Sequence, residues 1–171
     1  MQLYPVFLRL DGRRCVVVGG GAVGTRRART LLDCGADVLV VAPTVTAELD
    51  ALEEQGALRI ERRSFAADRV DGAFLVIAAT DDGAVNASAL SAGRAAGALV
   101  ASARSEDGAE CVIPSVARRG SIAIAISTSG RSPAFARRLR EEMEDWLTDD
   151  RVAALEAAAE ERTRRLGGVA S

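Results

Sequence analysis

The residues of this sequence best placed to do chemistry are three glycines. Val16-Val17-Val18-Gly19-Gly20-Gly21-Ala22-Val23-Gly24 leaves a β-branched run with GxGxxG spacing at Gly19, Gly21 and Gly24. Gly19 permits a tight turn, Gly21 lets a phosphate-bearing ligand approach the backbone, and Gly24 lets the next helix pack close to the strand. A helix opening here presents unpaired N–H groups and partial positive charge to an anion. Gly19, Gly21, Ala22, Val23 and Gly24 are therefore expected to hold the pyrophosphate of a dinucleotide. Where an Asp or Glu commonly receives the ribose, this chain reads Ala42-Pro43-Thr44. Pro43 and Thr44 are expected beside the ribose, with no carboxylate for its hydroxyls and no arginine directly after them for a 2′-phosphate. The choice between NAD and NADP stays open on these residues. A further apolar run ends in Ala78-Ala79-Thr80-Asp81-Asp82. Thr80 and Asp81 are candidate cofactor contacts there, while Asp82 is equally suited to cap a helix.

The chain has no histidine, and all 22 of its basic side chains are arginine. Histidine bases, histidine metal ligands and Schiff-base lysines are thereby excluded. Acid–base work falls to carboxylates, hydroxyls, thiols, solvent or the substrate. The cysteines, Cys15, Cys34 and Cys111, form no CxxC pair; they read as small buried hydrophobes of a reducing compartment, and the cytoplasm is the expected location. No metal site is expected.

The elements that must position these residues follow from periodicity. Strands are predicted at Arg14–Val18, Asp37–Ala42, Leu58–Arg62, Ala73–Ala79 and Ala98–Ala103, alternating with helices at Ala22–Cys34, Thr46–Gln55 and Asp82–Ala96. Alternating strands and helices imply an α/β fold with a mostly parallel, Rossmann-type sheet and right-handed crossovers. The pattern changes after Arg104. Ser105–Ala109 is polar. Cys111–Val116 and Ser121–Ser127 read as a small antiparallel strand pair, within one chain or across a dimer, joined by Arg118-Arg119-Gly120. Ser132-Pro133 opens a helix with Phe135, Leu139, Met143, Trp146 and Leu147 on one face, and Asp149–Leu166 is a second, highly charged helix. These faces are hard to bury within so small a segment, so a homodimer with the C-terminal helical segment in its interface is expected. The organisation reads as a nucleotide-binding domain over 1–109, a strand-pair dimerisation segment over 110–131 and a helical segment over 132–171.

The 171 residues, 49% hydrophobic, are enough for one such domain of about 110 residues and a smaller appendage. A net charge of −2 gives no reason to expect a nucleic-acid partner. No run is long enough for a membrane helix, and Met1-Gln2-Leu3-Tyr4-Pro5 lacks the features of a signal peptide.

Five segments carry a resemblance: Tyr4-Pro5-Val6-Phe7-Leu8; the glycine turn with Arg26 and Arg27; Ala78-Ala79-Thr80-Asp81-Asp82 with Asn86; Ile113-Pro114-Ser115; and Ser127-Thr128-Ser129-Gly130-Arg131-Ser132-Pro133. In this order they resemble the siroheme synthase N-terminal family over residues 2–148. The resemblance implies NAD-dependent oxidation of precorrin-2 to sirohydrochlorin, iron insertion in some members, and a homodimer whose segment after the Rossmann domain lines the tetrapyrrole cleft. Precorrin-2 carries eight carboxylates, and Arg104, Arg118, Arg119, Arg131, Arg137 and Arg138 gather in that segment. Arg104, Ser127, Thr128, Arg131 and Ser132 are the expected substrate contacts. Many members carry an aspartate where ungapped counting puts Arg104, which neither accepts a proton nor ligates iron. Glu106, Asp107 and Thr128 are then the weak catalytic candidates, and chelatase activity is not expected. Beside the dehydrogenase stand two other readings, a bifunctional dehydrogenase and chelatase, and a non-catalytic NAD-sensing or tetrapyrrole-binding module.

Overall fold

A computed structural model describes residues 2–103 and 109–167. The chain divides into two compact units, Pro5–Ile113 and the segment from Pro114 onward with the extreme N-terminus.

The first unit is a five-stranded parallel sheet. Its strands are β1 (Arg14–Val18), β2 (Asp37–Val41), β3 (Arg59–Glu61), β4 (Leu75–Ala78) and β5 (Leu99–Ser102), in the order β3-β2-β1-β4-β5. Helices α1 (Ala22–Leu32), α2 (Ala47–Glu54) and α3 (Gly83–Ala95) make crossovers. A short 3₁₀ turn at Ala67–Val70, for which the sequence reading made no provision, precedes β4. Strand side chains alternate between two cores. Cys15, Val17, Val38, Val40 and Ile77 pack with Ala28 and Leu31 of α1 and Leu49 of α2. Val16, Val18, Leu39, Val41 and Val76 pack with Ala89 and Leu90 of α3 and Val70 of the 3₁₀ turn. Burial on both faces explains why the strands read as unbroken apolar runs. The order reverses direction between β1 and β4, and the crevice beyond the carboxyl ends of those two strands is where open α/β sheets bind ligands.

The second unit is a hairpin, β6 (Ser115–Arg119) and β7 (Ile122–Ile126), followed by α4 (Pro133–Trp146) and α5 (Asp149–Gly167). The strands pair antiparallel within one chain. Two boundaries differ from expectation. Cys111 is not the start of β6: it bridges Ala101 of the main sheet, and the new strand begins only after Pro114, which has no N–H for a ladder. The turn is not Arg118-Arg119-Gly120. Arg118 and Arg119 belong to β6, Arg119 faces Ile122, and Gly120 (φ +53°) with Ser121 makes a two-residue turn of the kind that requires glycine first. Helix α1 stops two residues before Cys34, and Gly35 (φ +75°) completes the stop. The Ser132 hydroxyl accepts a hydrogen bond from the Phe135 N–H, and Pro133 occupies the first helical position of α4. Ala136 on that helix and Leu147, its C-cap, are buried, whereas Phe135 and Trp146 remain half-exposed.

Candidate functional site

The glycine turn joins β1 to α1 at the strand-order reversal, and its four glycines divide the work. At Gly19 (φ +124°) a methyl group would fall inside the contact radius of the Ala79 carbonyl oxygen and 3.0 Å from the Thr80 nitrogen, so the end of β4 lies directly on this residue. A methyl at Gly24 would strike the Gly19 carbonyl, which holds α1 tight against the strand it leaves. Gly20 has the same constraint from the Thr44 carbonyl, and its own carbonyl accepts from the Thr46 N–H at 3.1 Å. Gly21 alone faces open space. It caps α1 with no side-chain hydrogen bond, and no acidic residue stands in the first turn. The first amides of α1, including those of Ala22 and Val23, have no intrahelical partner and sit at the positive end of the helix dipole. A turn packed tightly at Gly19, Gly20 and Gly24 but open at Gly21 is a cradle that fits a diphosphate, which would satisfy those amides without meeting a Cβ.

The loop after β2 borders this cradle. Pro43 and Thr44 are exposed, and Thr46 caps α2. The Thr25 hydroxyl donates to the Gly21 carbonyl at 3.0 Å and lies 2.8 Å from the Thr46 hydroxyl, tying both helix starts together. A shallow cleft beside them is lined by Ala22, Thr25, Arg26, Arg29, Thr46 and Glu48, with Arg29 and Glu48 paired at 2.5 Å. Arg26 has no ion pair among the described residues. Arg27 is half-buried with an unpartnered Nε, and desolvation, then the neighbouring Arg26, pull its pKa below the ordinary guanidinium value.

On the other side, Thr80 follows β4 and touches the cradle through the Gly19 contact. Its N–H donates to Asn86 Oδ1 at 3.0 Å, and its carbonyl accepts from Asn86 Nδ2 at 2.9 Å. Asp82 caps α3, accepting from Ala84 N–H at 2.8 Å and Val85 N–H at 3.2 Å. Asp81 is exposed in the loop between them.

In the second unit, residues 127–132 fold into a tight loop with Ser129 (φ +52°) and Gly130 (φ +76°) in the left-handed region. Thr128 Oγ1 donates to the Ser132 carbonyl at 3.1 Å and accepts from the Ser132 N–H at 3.2 Å. Ser127 Oγ accepts from the Ser129 N–H at 3.1 Å. The serine and threonine hydroxyls thus shape the loop, and the Arg131 guanidinium is its group without an intramolecular ion pair among the described residues. Arg118 and Arg137 are likewise unpaired. Arg119 is not: it binds the Leu147 carbonyl and pairs with Asp149 at 3.0 Å, fastening the hairpin to the α4–α5 junction. Arg138 pairs with Glu142 along α4. Arg104, Glu106 and Asp107 lie outside the described residues.

The residues that the sequence grouped at this turn, Gly19, Gly21, Ala22, Val23 and Gly24, lie together between β1 and α1, while no role was expected for Gly20, Thr25, Thr46 or Asn86. A third consecutive glycine, beyond what the motif needs, was the available signal for Gly20.

The comparisons with known proteins agree with this geometry. A family model described as "Putative NAD(P)-binding" matches residues 6–115, and one described as "Sirohaem biosynthesis protein central" matches residues 119–145. The chain is 37% identical over 167 residues to a siroheme synthase of Methylococcus capsulatus, covering 96% of this chain and 35% of that protein. It is 39% identical over 147 residues to siroheme synthase 2 of Cronobacter sakazakii, covering 86% of this chain and 32% of that protein. The chain therefore spans about a third of the length of these curated relatives. Among solved structures, SirC, a precorrin-2 dehydrogenase, aligns with a TM-score of 0.78 at 34% identity, covering 94% of this chain and 79% of that one. With an NAD(P)-binding domain built on the Gly19–Gly24 corner and the sirohaem central segment following it, the chain belongs to the siroheme synthase N-terminal family.

Proposed function

We propose that this protein is an NAD-dependent precorrin-2 dehydrogenase that oxidises precorrin-2 to sirohydrochlorin. The observation that carries this reading is a glycine corner open only at Gly21, on a chain that aligns along 94% of its length with a precorrin-2 dehydrogenase. Bound nicotinamide supplies the hydride acceptor, and the chemistry needs little else from the protein than placement. The amides of Ala22, Val23 and Gly24 hold the diphosphate, Pro43 and Thr44 flank the ribose, and Thr80 and Asp81 border the crevice. Arg131 and the other unpaired arginines of the second unit meet substrate carboxylates, with Ser127, Thr128 and Ser132 shaping the loop that carries Arg131. Arg104 belongs to the same set. With no histidine or lysine in the chain, the proton that leaves with the hydride passes to solvent, to groups of the substrate itself, or to a carboxylate or hydroxyl, with Glu106, Asp107 and Thr128 as the candidates.

The working form is a homodimer. Phe135 on α4, Trp146 at its end and Leu155 on α5 are between 42% and 50% exposed in the single chain, more apolar surface than one short helical segment ordinarily leaves open. The three free thiols suit a cytoplasmic enzyme. No described helix is long and apolar enough to cross a membrane.

The test is anaerobic incubation of the pure protein with precorrin-2 and either NAD⁺ or NADP⁺, followed by absorbance of reduced nicotinamide and of sirohydrochlorin. The expected result is stoichiometric formation of both with NAD⁺. Absence of turnover with either cofactor sinks the assignment. Iron insertion above the spontaneous rate in the same preparation would add the second activity.

A further inference from the structure

We infer that Asn86 is a positioning residue for dinucleotide binding, acting through the β4–α3 corner on the glycine turn. The inference rests on the cofactor reading above and deepens it.

Asn86 is one of the two buried uncharged polar side chains of the described structure, 7% exposed, and it lies in the first turn of α3. Its amide treats Thr80 as a strand neighbour would. Oδ1 accepts the Thr80 N–H at 3.0 Å while Nδ2 donates to the Thr80 carbonyl at 2.9 Å, so both backbone groups of one residue are captured by one side chain. The Thr80 hydroxyl has a single proton to share between Asn86 Oδ1 at 2.8 Å and the Asp82 carbonyl at 2.9 Å, and it accepts from the Asp82 N–H at 3.1 Å. Together with the bond from the Ala79 N–H to the Val18 carbonyl, these contacts fix the chain leaving β4 where it lies against the glycine turn. The Ala79 carbonyl and the Thr80 nitrogen are the atoms that occupy the space beside Gly19. Gly19 in turn supplies the carbonyl against which Gly24 and the start of α1 are packed. A rigid path of backbone contacts thus runs from the Asn86 amide through Thr80, Ala79, Gly19 and Gly24 to the helix terminus that receives the diphosphate.

A side chain that served α3 alone would have no reason to capture both backbone groups of a residue six positions upstream. The last ladder bond on this side runs from the Ala79 N–H to the Val18 carbonyl at 2.8 Å, and Asn86 takes over the pairing at the next residue, Thr80. Replacing it with alanine leaves the Thr80 N–H and carbonyl without their partner and frees the corner to relax away from Gly19. The amides of the first turn of α1 then lose their fixed aim, which an affinity for pyrophosphate requires.

The experiment compares Asn86→Ala, Asn86→Asp and Ala89→Gly with the parent protein, measuring NAD⁺ affinity by calorimetry alongside thermal midpoint, kcat and KM. Ala89 is fully buried in the same helix and makes none of these polar contacts, so Ala89→Gly controls for lost helix stability. Asn86→Ala is expected to weaken NAD⁺ at least tenfold, to raise KM for NAD⁺ far more than it changes kcat, and to do so beyond any loss shown by Ala89→Gly at a comparable midpoint. Asn86→Asp keeps the acceptor for the Thr80 N–H and is expected to recover part of the affinity. If Asn86→Ala binds NAD⁺ like the parent, or no worse than Ala89→Gly, the inference fails while the cofactor reading stands. A parent protein that binds no dinucleotide overturns that reading instead, and one that binds NAD⁺ without oxidising precorrin-2 removes only the substrate.

Discussion

The glycines of the turn are alike in sequence and opposite in what they tolerate. At Gly21 the backbone is extended (φ −77°, ψ −174°), a conformation any residue adopts, and the added methyl meets nothing. Gly21→Ala should therefore fold normally, losing about 1 kcal/mol through a poorer helix cap. On the proposed reading its methyl stands where the diphosphate approaches, so NAD⁺ affinity should fall tenfold or more. Gly24→Ala must push aside the Gly19 backbone and should cost about 2–3 kcal/mol, lowering the melting midpoint along with binding. Calorimetric affinity and melting, measured on both variants, separate the two roles; equal melting losses would show that the turn has no preferred open side. Cys15 offers a second test at this scale. Its thiol is fully buried near the start of β1, and desolvation, with smaller contributions from Asp37 and Cys34, raises its pKa from 9.0 to about 11. The unfolded chain ionises first, so it binds fewer protons than the native chain between pH 9 and 11. Stability from this group is complete below pH 9 and is lost as pH rises through 11, by about 2–3 kcal/mol. Burial, and then Glu110, raise Cys111 in the same direction. The chain has no lysine to titrate across this range, so the alkaline slope is carried by these thiols. Cys15→Ala should flatten most of it in denaturant titrations from pH 8 to 11.5, and an unchanged slope would place the ionisation elsewhere.

At the scale of elements, legibility followed how much each segment depends on its own residues. Arg14–Val18 was bounded to the residue because five consecutive positions are buried or nearly so between two layers, and the glycines that follow allow only a turn. The open side of the turn was also legible, since the GxGxxG spacing states a steric requirement directly. The hairpin was misplaced because Cys111-Val112-Ile113 has strand composition but spends it on the edge of the main sheet, beside Ala101, before Pro114 interrupts. No local property distinguishes a strand from a short apolar segment that bridges elsewhere. Asn86 stood in a recognised motif, yet its role depends on Thr80, a residue in a different element. Arg119 was counted only among the arginines that gather in this segment, and its partners, the Leu147 carbonyl and Asp149, come from 28 and 30 positions later. The Ser132 cap was fully local, and its prediction is correspondingly firm: Ser132→Ala removes the acceptor for the Phe135 N–H and should destabilise α4 by about 1 kcal/mol. Because this helix start adjoins Arg131, the same variant should raise KM for precorrin-2 several-fold and leave NAD⁺ affinity alone. Steady-state kinetics on both substrates checks this; equal effects on the two would detach the loop from the tetrapyrrole.

The whole molecule is organised so that one unit holds its core within itself and the other does not. Pro5–Ile113 encloses two hydrophobic clusters, one on each face of the sheet, and includes Cys111 and Ile113 among the residues packed on the first. The later unit has few buried apolar residues, Ala117, Ala136 and Leu147, and every side chain described beyond Val152 in α5 is exposed. Surface-to-volume scaling works against a segment of that size, and its exposed Phe135 and Trp146 add a cost of solvation rather than a core. A fragment ending at Ile113 is therefore expected to fold cooperatively and to bind NAD⁺ within threefold of the full chain, because every residue proposed to hold the cofactor lies inside it. It should fail to oxidise precorrin-2, since Arg131 and the 127–132 loop are absent. The complementary fragment from Pro114 should lack a cooperative melting transition at low concentration and gain one only as it self-associates. Circular dichroism and sedimentation on the two fragments read these outcomes. A dinucleotide-binding fragment that also turned over precorrin-2 would move the tetrapyrrole contacts into the first unit, and a later fragment that melted cooperatively as a monomer would remove the physical reason for a dimer.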